Sequence, residues 1–82
     1  MITITYFGNL KDKLNREQEE FAWERGSTEE LLEELRQRGE IWAEALAPEN
    51  VFRVVVNEEI SFAPVEVNAG DRVALLPPVT GG

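Results

Sequence analysis

The segment Arg25-Gly26-Ser27-Thr28-Glu29-Glu30-Leu31-Leu32-Glu33-Glu34-Leu35-Arg36-Gln37-Arg38-Gly39 carries the clearest structural code in the chain. Arg25-Gly26 has turn composition. Ser27-Thr28-Glu29-Glu30 fits the S-x-x-E capping box: the Ser27 hydroxyl accepts from the amide three residues on, and the Glu30 carboxylate reaches back to the Ser27 amide. Leu31, Leu32 and Leu35 then form one apolar stripe, while Glu29, Glu30, Glu33, Glu34, Arg36 and Arg38 face water. Gly39 stands where a left-handed residue would end a helix, and Arg36 and Arg38 suit the negative end of its dipole. The spacing predicts one amphipathic helix with a single face to bury.

On both sides of this helix the period falls to two. Ile2 and Ile4 alternate with Thr3 and Thr5 ahead of Tyr6-Phe7, which predicts a strand over Met1–Phe7. Gly8 breaks the pattern, and Leu10 and Leu14 give a short helical turn with Lys11, Asp12 and Lys13 outward. Glu19, Phe21 and Trp23 alternate with Gln18, Glu20 and Ala22, so Glu17–Trp23 reads as a second strand paired with the first. Beyond the helix, Ile41, Trp42, Ala45 and Leu46 suggest a further helical turn stopped by Pro48. Phe52–Val56 is a strand, Asn57-Glu58-Glu59 a turn, and Ile60-Ser61-Phe62 a short edge segment made untidy by Pro64. Asn68-Ala69-Gly70-Asp71 has turn composition, and Arg72–Leu76 is the last strand. Two strands, a crossover helix and a returning strand make an α+β fold. The expected architecture is a mixed four- to five-stranded sheet, with one main helix on one face plus short helical turns: the β-grasp, or ubiquitin-like, outline. Residues 1–76 are expected to form this domain and 77–82 an extended C-terminal tail.

Composition narrows the chemistry. The 82 residues contain no cysteine and no histidine. Disulfides, thiolate sites, a cysteine nucleophile, the commonest general base and the commonest metal ligand are therefore all missing. A net charge of −8 opposes binding to a phosphate backbone, so no nucleic-acid partner is expected. No apolar run is long enough to span a bilayer, and Met1 opens into a strand pattern, not a signal peptide. The expectation is a soluble cytoplasmic protein with no membrane partner, no metal and no catalytic side chain of its own.

The charged and aromatic clusters have plain explanations. Glu29, Glu30, Glu33 and Glu34 form a solvated helix face. Glu58-Glu59 lacks the surrounding ligand loop of a cation site and reads as a turn. Trp23 and Trp42 sit at apolar positions of their elements and read as core or half-buried packing residues. Lys11, Lys13 and Arg16 form a small basic group on an acidic chain.

The C-terminal stretch Leu75-Leu76-Pro77-Pro78-Val79-Thr80-Gly81-Gly82 is different. Two prolines cannot donate to a sheet ladder and hold φ near about −65°, so the strand stops and the chain leaves the domain extended. Pro77 to Gly82 could reach roughly 20 Å at about 3.3 Å per residue. Gly81 and Gly82 lack Cβ atoms and can enter a channel too narrow for other residues. A stiff rod with a thin tip suits insertion of a carboxylate into another protein's active site.

The tail PPVTGG at Pro77–Gly82 resembles that of the small, sulfur-carrying subunits of molybdopterin synthase, a ubiquitin-like family of molybdenum cofactor biosynthesis. The resemblance runs along the whole chain: the Met1-Ile2 strand with Phe7, Trp42-Ala43 and Ala45-Leu46, Val56-Asn57, Ser61-Phe62, and Gly70-Asp71 with Val73-Ala74. Leu75-Leu76 departs from it, standing where members often carry aromatic residues. The resemblance implies that Gly82 is the working residue through its α-carboxylate. A ubiquitin-activating-enzyme-like adenylyltransferase would convert it with ATP to an acyl-adenylate, and a sulfur donor would displace AMP to leave a thiocarboxylate. This sulfur would then pass to cyclic pyranopterin monophosphate in the pocket of the large subunit, as part of a heterotetramer. No cofactor is expected to stay bound; the AMP adduct and thiocarboxylate on Gly82 are transient. Pro77, Pro78, Val79, Thr80 and Gly81 would fill the partner's channel. Phe7, Ile60 and Leu76 occupy positions similar to the family's hydrophobic contact patch, and Lys11 matches a basic position nearby. For Phe7, Ile60 and Leu76 core packing is an equal reading, and solvent exposure separates the two. Other sulfur carriers, for thiamin, cysteine or tRNA thiolation, ubiquitin-like modifiers and plain β-grasp binding modules remain the alternatives.

Overall fold

Alternating β-branched and polar residues produce β1 (Ile2–Tyr6) in the computed structural model, which describes residues 1–47, 53–61 and 64–77. β2 (Gln18–Phe21) lies antiparallel to it, with Ile2 opposite Phe21 and Ile4 opposite Glu19. Between them runs α1 (Gly8–Leu14), which buries Leu10 and Leu14. A two-stranded sheet follows from β3 (Arg25–Ser27), paired antiparallel with β6 (Glu66–Asn68). α2 (Thr28–Arg36) and α3 (Glu40–Ala45) come next. β4 (Arg53–Val56) and β5 (Glu59–Ser61) form a hairpin through Asn57 and Glu58, both at positive φ. β7 (Arg72–Leu76) inserts between β1, to which it is parallel, and β4, to which it is antiparallel. The main sheet is thus a mixed five-stranded one in the order β2-β1-β7-β4-β5, as expected of a β-grasp.

Side-chain alternation directs Ile2, Ile4, Tyr6, Val73 and Leu75 to one face of this sheet. There they meet Leu10 and Leu14 of α1, Leu31, Leu32 and Leu35 of α2, and Ala45 and Leu46 at the end of α3. Each Ile, Leu or Val side chain among them, fully buried, contributes roughly 1.5–3 kcal/mol. The capping box forms as the sequence predicts: the Glu30 amide donates to Ser27 Oγ at 3.1 Å, and the Ser27 amide to Glu30 Oε1 at 2.8 Å. Trp23 is buried just beyond β2, its Nε1 donating to the Val67 carbonyl at 3.1 Å, and this bond ties the small sheet to the large one. Trp42 is half-buried against the core and meets Tyr6 edge-on, with ring centroids 5.7 Å apart.

Several expectations are corrected. Arg25-Gly26 is not a turn but belongs to β3, because its partner strand, 41 residues further on in the pairing Gly26–Val67, supplies the ladder. Gly39 does not close α2 in the left-handed region. The helix ends at Arg36 with Gln37 as a right-handed cap, and Gly39, at φ 155° and ψ 177°, is instead the N-cap of α3. Ile41 is exposed, since α3 turns Ala45 inward and carries Ile41 outward. Arg36 and Arg38 do not simply face water: Arg36 Nε donates to the Leu46 carbonyl at 2.6 Å, and Arg38 binds Glu19. Glu59 belongs to β5 and not to the turn before it. Pro48, Phe52 and Phe62 lie outside the described residues. Among the described residues, no helix is long and apolar enough to cross a membrane.

Candidate functional site

The same alternation that fills the core assigns a second set of side chains to the opposite face of the main sheet. Thr3 and Thr5 on β1, Arg72, Ala74 and Leu76 on β7, Arg53 and Val55 on β4, and Ile60 on β5 share that face by register. All three helices pack on the other side, so among the described residues this face has no covering layer. Its apolar part runs across the strands: Ala74 opposite Val55, Val55 opposite Ile60, and Leu76 one step beyond Leu75, where Phe7 follows Tyr6. Phe7 is 45% and Ile60 52% exposed, whereas Leu76 is half-buried. Core packing is therefore excluded for Phe7 and Ile60. Isolated exposed apolar residues are ordinary, but here they adjoin other apolar side chains on one uncovered face.

Lys11 projects from α1 near this edge and pairs with Glu17 at 3.5 Å, both side chains being exposed. An open depression of about 250 Å³ lies between them, floored by Thr5, Tyr6 and Phe7. Pro77 leaves β7 next to this place and is half-buried. Pro78, Val79, Thr80, Gly81 and Gly82 lie outside the described residues.

A polar cluster stands on the core side of β1 and β2. Glu19 accepts from the Tyr6 hydroxyl at 2.6 Å, from Arg38 through two nitrogens at 2.8 Å each, and from Arg16 at 3.0 Å. Arg38 also lies over the Trp42 and Phe21 rings, 4.5 and 4.9 Å from their centroids. Burial alone would raise the Glu19 pKa, but the hydrogen bonds from Arg38 and Tyr6 and the charges of Arg38 and Arg16 outweigh it and hold the carboxyl below its usual range. Burial, and then the Glu19 hydrogen bond and charge, push the Tyr6 phenol far above its ordinary value. The hydrogen bond to Glu19 raises Arg38 further. All three groups are locked in their ordinary protonation states at neutral pH, which suits a structural clamp and not proton transfer.

At the opposite end of β7 a second polar lock fixes the turns. Asp71 accepts from the Asn68 amide at 2.8 Å and from Asn57 Nδ2 at 3.1 Å, and both bonds hold its carboxyl low. The Arg72 amide donates to Asn57 Oδ1 at 3.0 Å. Among the described residues no group of three or more acids is placed to hold a metal ion.

Two features of the site escaped sequence reasoning. The inward register of Glu19 was visible in its alternation with Phe21 and Trp23, but its partners Tyr6 and Arg38 were not. Gly8 read only as a strand breaker, whereas it lies directly against Pro77.

Comparison with known proteins adds to this geometry. The model of the ThiS family matches residues 4–82. Over 82 residues, and over 100% of both chains, the sequence is 28% identical to the molybdopterin synthase sulfur carrier subunit of Haemophilus influenzae. It is 29% identical, with the same full coverage, to the molybdopterin synthase sulfur carrier subunit of Escherichia coli.

Proposed function

This chain belongs to the ThiS family, and from that premise we propose that it is a sulfur carrier whose reactive group is the α-carboxylate of Gly82. The observation that carries the reading is the match of family and relatives along the chain to residue 82, through the Pro77–Gly82 tail. The uncovered apolar face beside the root of that tail supports it, because a carrier must dock while its end enters a partner's site.

On this reading residues 1–76 are the docking domain and 77–82 the arm. A free C-terminal carboxyl titrates near about 3.3–3.7 and is ionised at neutral pH. A separate adenylyltransferase positions it to attack the α-phosphorus of ATP, forming an acyl-adenylate and releasing pyrophosphate. A donor that delivers sulfur at the oxidation level of sulfide then attacks the acyl carbon and expels AMP, which leaves a thiocarboxylate once the sulfur has lost its proton. Its anionic sulfur is a soft nucleophile like a thiolate. Transfer to cyclic pyranopterin monophosphate, in the pocket of a molybdopterin synthase large subunit, returns the chain end to the carboxylate once water has taken the place of the sulfur. Acid–base groups come from the partners, in keeping with a chain that has neither histidine nor cysteine.

Phe7, Ile60 and Leu76 form the contact with both partners in turn, and Lys11 flanks it. The charge of −8 steers the domain toward basic surfaces and speeds association at low salt. The test is to incubate the protein with adenylyltransferase, ATP and a sulfur source and to weigh it intact. An oxygen-to-sulfur exchange confined to Gly82 is expected; an unchanged mass refutes the proposal. Adding the thiocarboxylated protein to extracts that assemble pterin or thiazole products then separates the molybdopterin pathway from its alternatives.

A further inference from the structure

The root of the arm is held by a contact that only glycine permits. Gly8 follows Phe7 directly and sits at φ +58°, in the left-handed region that side-chain-bearing residues adopt at a cost of about 1–2 kcal/mol. A Cβ at Gly8 would lie 2.6 Å from Cγ and 3.2 Å from Cδ of Pro77. The proline ring therefore rests on the bare α-carbon of Gly8, in the space a side chain would take. Backbone bonding reaches the same place: the Phe7 amide donates to the Leu75 carbonyl at 3.1 Å. Two strands are thus joined up to Leu75, and the first residue after β7 meets a fitted seat.

We propose that Gly8 is a positioning residue, a seat for the Pro77 ring that sets the direction in which residues 78–82 leave the domain. The inference rests on the carrier reading above and adds to it the regulation of aim. Pro77 has its φ fixed by its own ring, and the proline that follows it in sequence disfavours helical ψ at Pro77, so once the ring is seated the exit of the chain is restricted to extended directions. Five residues could span at most roughly 16 Å at about 3.3 Å each, so for a fully extended chain a rotation of about 15° at the root would shift the tip by roughly 4 Å. Displacements of about 1 Å are already enough to cost a reacting centre on the order of 100-fold. The seat also lies beside Phe7, so the docking face and the departing arm share one rigid junction. A partner that grips the face thereby receives the arm at a set angle.

Two variants of the full chain test this. Gly8→Val adds a branched side chain at the seat, and Pro77→Gly removes the ring while leaving Gly8 untouched, so the second remains informative if the first does not fold. The structural readout is the nuclear Overhauser contact between the Gly8 α-protons and the Pro77 ring protons in the wild-type chain. The functional readout is pyrophosphate release with the adenylyltransferase, resolved into kcat and KM. The contact is expected in the wild type and lost in Gly8→Val, with kcat reduced at least about 10-fold in both variants and, in Gly8→Val, KM changed less than about 2-fold, since the docking face and the arm's own residues are intact there. Absence of the contact in the wild type, or wild-type kcat in a folded variant, overturns the inference. If the wild-type chain is never adenylated, the carrier reading falls instead, and the contact alone then decides whether the seat exists.

Discussion

Replacing Glu19 by Gln should weaken the fold by breaking a charge-assisted cluster. The Glu19 side chain is only 11% exposed and receives four hydrogen bonds: one from Tyr6, two from Arg38 and one from Arg16. Glutamine keeps the shape, loses the charge and offers one acceptor oxygen in place of two. A hydrogen bond to a charged group is worth about 1.5–3 kcal/mol. The Arg38 side chain is 27% exposed, so water recovers part of its loss, and the more exposed Arg16 contributes about 0–1 kcal/mol. The net expectation is a loss of about 2–3 kcal/mol, or roughly 10–20 °C in Tm for a chain of this size. Urea unfolding followed by tryptophan fluorescence measures it, since Trp42 stacks on Arg38. A loss below about 0.5 kcal/mol would refute the clamp. The pH dependence has a definite sign. The folded-state pKa of Glu19 is lowered, so its stabilisation is complete above the unfolded value near about 4.3 and disappears as pH falls through the lower folded value. Wild type and Glu19→Gln should therefore converge in stability only in acid, once the pH has fallen below the lowered folded-state value.

Three further substitutions separate the scaffold from the docking face. Ser27→Ala removes the cap of α2 and should cost about 1 kcal/mol in the same unfolding assay. Gly26→Ala places a Cβ 2.6 Å from Cζ2 of the buried Trp23 ring, so the ring must shift and strain its bond to the Val67 carbonyl; a loss of about 1–3 kcal/mol is expected by calorimetry. Ile60→Asp, on an exposed edge position, should leave stability within about 0.5 kcal/mol yet weaken binding to the large subunit at least about 10-fold by titration calorimetry. Unchanged affinity would remove the open face from the proposed interface.

The helix at Thr28–Arg36 was legible because every signal for it is local: cap, stripe and flanking acids lie within one short window. The strands at Ile2–Tyr6 and Arg72–Leu76 were legible for a similar reason, since alternation of side chains is set by backbone geometry alone. β3 and β6 were not. Arg25-Gly26-Ser27 and Glu66-Val67-Asn68 are too short and too rich in turn residues to announce a strand, and each finds its ladder partner in the other, far away in sequence. Gly39 misled because a glycine after a helix has two uses, closing that helix or opening the next, and the contacts of the following helix chose between them. The tail composition was visible at once, while the fit of Pro77 on Gly8 joins residues at opposite ends of the chain and leaves no mark in either neighbourhood.

Sequence by itself therefore determined which faces are apolar, where the main helix begins, the absence of histidine and cysteine chemistry, and a stiff proline-led, glycine-ended tail. Those properties reside in single residues and their near neighbours. Tertiary structure alone decided which apolar residues remain on the surface, that Glu19 is clamped by Tyr6 and Arg38, and that the tail starts from a glycine seat. Each depends on side chains brought together across the sheet by strand order, and strand order is settled by the packing of the whole core.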